Sequence, residues 1–270
     1  NVIGDYLCDV LTLHWNPALS APAFFDPELI RRFDVPGPRY TSYPTADRFL
    51  TALSSPEVAD HLSRRANGPE QRPLSLYVHI PFCNTICFYC ACNKIITKDR
   101  TVSERYLAYL EREMDAVLAA LGTGRLVSQM HWGGGTPTFL QAAEISRLMA
   151  AIRTRFSLQE GGEYSIEIDP RKVTAEDVQR LAEHGFNRMS LGIQDFDPAV
   201  QRAVNRVQTI EETALVMRAA REYGFRSISV DLIYGLPFQS AASFERTLDT
   251  VMSMAPDRLS LYNYAHLPTK

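Results

Sequence analysis

Four of the five cysteines fall within ten residues, at Cys83, Cys87, Cys90 and Cys92, and only Cys8 stands apart. A disulfide framework spreads its cysteines along a small secreted chain, whereas most of these 270 residues contain none. The clustering points instead to metal or redox chemistry in a reducing compartment. The spacing is Cys83-x3-Cys87-x2-Cys90. Three thiolates so placed suit three irons of a [4Fe-4S] cluster, leaving the fourth iron open to a substrate or cofactor. The other reading is structural zinc with Cys92 or His79 as fourth ligand, although zinc sites ordinarily draw on two separated pairs. In the cluster reading Cys92 lines the site.

Other polar or glycine-rich segments share one trait, in that each follows an apolar, β-branched run. They are Gly133-Gly134-Gly135-Thr136-Pro137, Glu167-Ile168-Asp169-Pro170, Gln194-Asp195, Asp231 with Gly235, and Tyr264-Ala265-His266. The preceding runs predict strands over Leu74–Ile80, Val127–Trp132, Tyr164–Ile168, Arg188–Ile193, Ser227–Ile233 and Arg258–Tyr264. Between them, helical periodicity predicts helices over Ser103–Leu121, Ala142–Phe156, Ala175–Gly185, Ile210–Gly224 and Ser243–Met254. Gly185 and Gly224 sit where helix C-terminal glycines belong.

Strands joined by helical crossovers imply an α/β fold with a parallel sheet, and a partial (β/α)6 TIM-like barrel is favoured over a doubly wound sheet. In such folds chemistry gathers at the carboxyl ends of the strands, so the cysteine loop and the polar segments are expected around one mouth. Ahead of the barrel, Asp26 and Pro27 open a short helix. Pro36 to Pro44 then read as an extended arm, because proline disfavours helix in the residue before it. The expected division is an N-terminal extension and arm over 1–72 and the barrel over 73–268.

Composition narrows the partners. Hydrophobic residues make up 46% and charged residues 22%, with a net charge of −3, which argues against broad binding to nucleic acid or an anionic membrane. No apolar run approaches the roughly 18 residues of a membrane helix. No basic start leads into an apolar stretch, so a cytoplasmic location is expected; a monomer is expected as well. The chain starts at Asn1 and stops at Lys270, and truncation at both ends is expected.

The cysteine spacing, with Tyr89 just before the last ligand, resembles the radical S-adenosylmethionine (SAM) superfamily. Further segments are similar to the oxygen-independent coproporphyrinogen III oxidases (coproporphyrinogen dehydrogenases). These are Pro38-Arg39-Tyr40-Thr41-Ser42-Tyr43-Pro44-Thr45, Leu76-Tyr77-Val78-His79-Ile80-Pro81-Phe82-Cys83, Cys90-Ala91-Cys92-Asn93-Lys94, His131-Trp132-Gly133-Gly134-Gly135-Thr136-Pro137 and Asn263-Tyr264-Ala265-His266-Leu267-Pro268. The resemblance spans about residues 28 to 268 and implies a radical SAM barrel.

It also implies that Cys83, Cys87 and Cys90 hold a [4Fe-4S] cluster and that two SAM molecules bind. Tyr77, Gly134 and Glu167 are implied for the first. Tyr89, Gly135, Thr136, Gln194, Arg206, Asp231 and Ala265 are implied for the second. The implied reaction is oxidative decarboxylation of coproporphyrinogen III to protoporphyrinogen IX by a 5′-deoxyadenosyl radical, with electrons from an unidentified donor. The substrate's four carboxylates predict cations at the mouth.

Each residue also has a plainer reading. Gly133 to Gly135 make an ordinary turn, Arg206 is a solvated charge, Tyr77 is a strand aromatic and Glu167 to Pro170 are a strand end. His79 and His131 are read as satisfied core histidines, and the arm at Arg39 and Tyr40 as a lid or a packing strap. Asp231, inside an apolar run, is harder to dismiss, because buried carboxylates are rare unless paired. A haem chaperone relative, a zinc-stabilised binding protein and an inactive fragment are the competing functions. Relatives carry a C-terminal cover domain, expected to be absent here, so weak turnover by this chain alone is expected.

Overall fold

A computed structural model describes residues 26–35, 45, 48–49, 53–69 and 72–265. The Arg39–Tyr40 arm, Cys8 and His266 lie outside the described residues. The chain divides into two compact units, 1–55 and 56–270. In the first, α1 (Pro27–Phe33) starts as the sequence predicts, with the Asp26 carboxylate accepting from Glu28 N and Leu29 N.

The second unit is built on a parallel sheet of six strands: β1 (Leu74–Ile80), β4 (Leu126–Gly134), β5 (Ser157–Ile168), β6 (Arg188–Gln194), β7 (Ser227–Tyr234) and β8 (Arg258–Asn263). Each strand pairs in parallel with its predecessor in that order, so β1 and β8 are the edges. Helices α3 (Val102–Leu121), α4 (Ala142–Arg155), α5 (Ala175–Glu183), α7 (Ile210–Glu222) and α8 (Ala241–Ser253) make the crossovers. This is the expected α/β partial-barrel order. Gly185 and Gly224 close α5 and α7 with left-handed φ of 91° and 82°, as their positions required.

Alternation decides which face is core. On β6, Met189, Leu191 and Ile193 are buried, whereas Ser190, Gly192 and Gln194 face the other way. On β5, Tyr164, Ile166 and Ile168 are buried opposite Ser165 and Glu167. Burying one such Leu or Ile contributes about 1.5–3 kcal/mol, so a one-residue register slip would forfeit several residues' worth and expose the core row. The other face is small and polar. Because parallel partners in register share a face, Tyr77, His131 and Ser165 line up across β1, β4 and β5. Gly192, Asp231 and Ser260 line up across β6, β7 and β8.

Three features were not foreseen. A helix, α2 (Ser55–Asn67), precedes the sheet with none of its residues buried, its apolar stripe limited to Val58, Leu62 and Ala66. A short helix, α6 (Pro198–Ala203), follows β6, N-capped by Asp197. A two-stranded parallel pair, β2 (Phe82–Cys83) and β3 (Ile95–Ile96), closes the base of the cysteine loop. Among the described residues no helix is long and apolar enough to cross a membrane.

Candidate active site

The cysteine loop is clamped on two sides. At its base Ile95 N donates to Pro81 O at 2.7 Å and Thr97 N to Cys83 O at 2.9 Å. Phe88 N reaches Val204 O at 3.0 Å, and Asn205 Nδ2 reaches Ile86 O at 2.7 Å. Lys94 Nζ donates to Cys90 O at 2.8 Å, inside the loop. Asn205 takes a left-handed φ of 54°, at a cost of about 1 kcal/mol, that brings its side chain onto the loop.

The four thiols are all unbridged, and Cys92 is the exposed one. The Cys83 sulfur lies 3.4 Å from Thr136 Oγ1, and the Cys87 sulfur lies 3.7 Å from Arg206 Nη1. A bond from the Cys92 side chain outweighs burial and, with Lys94 nearby, lowers the Cys90 thiol to about 5. That shift favours the Cys90 thiolate, the form that binds metal. Burial pushes the Cys83 thiol up.

These donors suit a cluster. Three cysteines share one braced loop, and Gly135 keeps the space beside them clear. A Cβ at Gly135 would sit 2.6 Å from Pro81 O and 2.9 Å from Cys83 Sγ, while Gly135 N donates to Ile80 O at 2.8 Å. Among the described residues no three His, Cys, Asp or Glu side chains form a group able to hold a metal ion. A four-iron cluster asks for something different, one thiolate at each of three irons.

Around the loop the strand ends bring the predicted residues into groups. Glu167 Oε2 accepts from Gly134 N at 3.2 Å, and its Oε1 lies 3.1 Å from His131 Nε2. His131 Nδ1 meets Ser165 Oγ at 2.6 Å, and the Tyr77 ring stacks on the imidazole at 5.8 Å. Tyr77 is 59% exposed, with its hydroxyl 3.1 Å from His79 Nδ1. Burial and then the Glu167 charge hold the Tyr77 phenol above its ordinary value. The expectation of core histidines is corrected here. His79 and His131 are half-buried on the polar face, because the period-two pleat turns them away from Val78, Ile80, Met130 and Trp132. Both are nevertheless satisfied, His79 also through Asn93 O at 2.9 Å.

The second group surrounds Arg206. The reading of this residue as a solvated charge is wrong: it is 7% exposed. Its Nη2 donates to Gly192 O at 2.6 Å, and its Nη1 lies 3.5 Å from Asp169 Oδ2. A Cβ at Gly192 would lie 2.8 Å from Gln194 Nε2 and 2.9 Å from Arg206 Nη2, so that glycine lets both side chains cross the strand. Gln194 itself has a left-handed φ of 68°, a strain that clusters at functional sites. Tyr89 packs on Val200, Val204, Ile233 and Leu236 beside Tyr264, and burial raises its phenol. Asp231 accepts from Ser190 Oγ at 3.2 and 3.1 Å. Burial pushes its carboxyl up, against the Ser190 and Ser260 hydroxyls. Ala265 lies two residues past β8.

Asp169 and Asp195 lie in strand-end segments singled out from the sequence, but the polar assemblies they anchor were not foreseen. Asp169 caps the turn Pro170–Lys172 and takes a fork from Arg171, at 2.9 Å from Nε and 2.5 Å from Nη2. Burial alone would raise the Asp169 carboxyl, but Arg171 and Arg206 outweigh it and hold it below the usual range. Asp195, 1% exposed, accepts from Thr247 Oγ1 at 2.8 Å, Asp197 N at 2.6 Å and Gln239 Nε2 at 2.5 Å. It anchors the loops after β6 and β7 from inside. An Asp-Pro pair after a strand, and an Asp abutting a buried apolar run, were the available signals.

The model of the radical SAM superfamily matches residues 77–251. The chain is 53% identical over 250 residues to an oxygen-independent coproporphyrinogen III oxidase of Pseudomonas aeruginosa, covering 91% of this chain and 54% of that protein. It is 49% identical over 245 residues to the oxygen-independent coproporphyrinogen III oxidase of Escherichia coli, covering 91% and 52%. The chain therefore spans about half the length of the curated relatives it matches. The solved coproporphyrinogen III oxidase of Escherichia coli, described as a radical SAM enzyme, superposes with a TM-score of 0.82 at 46% identity, over 91% of this chain and 54% of that one. A radical SAM methyltransferase of Kitasatospora setae superposes with a TM-score of 0.52 at 15% identity, over 75% and 38%, a likeness of fold alone.

Proposed function

The chain belongs to the radical SAM superfamily, and from that premise we propose that it is the catalytic barrel of an oxygen-independent coproporphyrinogen III oxidase. The single observation that carries this is the braced cysteine loop at the carboxyl ends of the strands, beside the Glu167 and Arg206 groups. The identity of about half the residues to coproporphyrinogen oxidases narrows it to this member. Cys83, Cys87 and Cys90 would hold the [4Fe-4S] cluster. With SAM bound, that pair would supply the 5′-deoxyadenosyl radical, which would take a hydrogen from a propionate side chain of coproporphyrinogen III; loss of carbon dioxide and transfer of one further electron to an acceptor outside this chain would leave a vinyl group.

The remaining residues bind and orient. Gly134 offers close backbone approach, and Glu167 is placed to accept from an ammonium or a ribose hydroxyl, with Tyr77 covering that end; these serve a first SAM. A second SAM would meet Gly135 and Thr136 beside the loop, the positive charge of Arg206 as partner for its carboxylate, Gln194, Asp231, Tyr89 and Ala265. His131 holds the Glu167 carboxylate in place, and Ser190 holds that of Asp231. Coproporphyrinogen III is the proposed substrate, and an external electron donor the proposed partner.

Anaerobic reconstitution followed by iron, sulfide and 5′-deoxyadenosine assays tests this. Four irons per chain, and 5′-deoxyadenosine formation that rises when coproporphyrinogen III is added, are expected. One zinc without sulfide would sink the reading. So would a Cys87→Ala variant that kept its full cluster content.

A further inference from the structure

We propose that Arg206, aimed by Asp169, sets the reduction potential of the cluster through the sulfur of Cys87. The inference rests on the cluster reading above. Arg206 is buried, and its guanidinium is divided three ways. Nη2 serves the backbone, donating to Gly192 O at 2.6 Å. Nη1 faces both Cys87 Sγ at 3.7 Å and Asp169 Oδ2 at 3.5 Å. The buried Nε has no partner among the described residues. A plain structural brace would spend its donors on carbonyl oxygens, whereas here one arm is turned to a ligand sulfur.

The physics gives the sign. Reduction adds one electron to the cluster and makes or breaks no bond. A positive charge and an N–H···S hydrogen bond at a ligand stabilise the added negative charge, raising the potential. Arginine stays protonated at any working pH, so the bias is permanent. The Asp169 carboxylate partly cancels it while fixing where Nη1 points. Asp169 is itself steadied by the Arg171 fork. It touches no ligand sulfur, and its role is that of a positioning residue. The two side chains therefore pull the potential in opposite directions.

The test is an EPR-monitored redox titration of the anaerobically reconstituted chain and of Arg206→Gln, Arg206→Lys and Asp169→Asn. Dithionite supplies one electron per cluster and is oxidised to sulfite. Arg206→Gln should disfavour reduction at least tenfold, 59 mV for one electron. Arg206→Lys keeps the charge and should recover part of that loss. Asp169→Asn should move the potential the other way. Loosening of the loop alone, by admitting water, would move every variant in the same direction. Shifts of one sign in Arg206→Gln and Asp169→Asn, or none with iron content intact, overturn the inference. If Arg206→Gln does not load iron, an unchanged or lowered potential in Asp169→Asn overturns it. A parent chain that loads neither iron nor sulfide overturns the cluster reading itself, and intact iron content tells the two failures apart.

Discussion

Replacing Gly135 by alanine adds one carbon at the closest approach in the site. That Cβ would stand 2.6 Å from Pro81 O, 2.7 Å from Pro81 C and 2.9 Å from Cys83 Sγ. Two of the three neighbours are backbone atoms with no rotamer to change, so the end of β4 must move off β1. Overpacking of this kind costs about 1–3 kcal/mol, and parting Gly135 N from Ile80 O adds about 1. The expected loss of about 2–4 kcal/mol is a large fraction of the stability of an ordinary domain. Gly124→Ala is the matched comparison. Gly124, unlike Gly135, has a positive φ, 68°, but a Cβ there meets nothing within 4 Å, so only about 1–2 kcal/mol of backbone strain applies. Thermal melts followed by circular dichroism should place Gly135→Ala below Gly124→Ala, and reconstituted Gly135→Ala should load less iron because Cys83 is pushed aside. Equal melting temperatures, with full iron in both, would refute the reasoning.

Three further outcomes follow from the structure. Asp231→Asn should melt higher than the parent at pH 7. Burial raises the folded-state carboxyl, so its favourable contribution is complete below the unfolded value of about 3.9 and is lost as pH rises through the folded one; the gap between the two proteins should close toward pH 4, while SAM affinity falls in equilibrium binding. Asp195→Ala strips an acceptor from Thr247 Oγ1, Asp197 N and Gln239 Nε2 and should cost about 3 kcal/mol or more in urea unfolding; a loss below 1 would show that water replaces the carboxylate. Phe238→Gly should stabilise by a few tenths to about 1 kcal/mol, because Phe238 is 81% exposed and held at a φ of 64°, and a lower melting temperature would contradict that.

Much of this architecture could be read from residue order because β6 alternates strictly and the end of β5 follows the same pattern, and because parallel strands all point their carboxyl ends one way. Placing Glu167, Gln194, Asp231 and the cysteine loop at one mouth needed no knowledge of packing. What stayed hidden was pairing across distance. Arg206 looks like any loop charge until the fold sets it against Asp169, 37 residues back, and Cys87, 119 residues back. The histidines were misjudged because period two alone does not say which face is core. For α2, with no buried residue, the stripe of Val58, Leu62 and Ala66 was too sparse to stand out.

The clasp on the cysteine loop also has a consequence in time. Ile86 and Cys87 precede Asn205 and Arg206, the residues that close over them, by 119 positions. At a synthesis rate of roughly 5–20 residues per second, the loop leaves the ribosome on the order of 10 s before its clasp exists. For that interval the cysteine loop has neither the Asn205 side chain nor the Arg206 guanidinium to close over it. Metal delivery to the nascent chain thus meets an open loop, whereas delivery to the finished barrel meets one already fastened down.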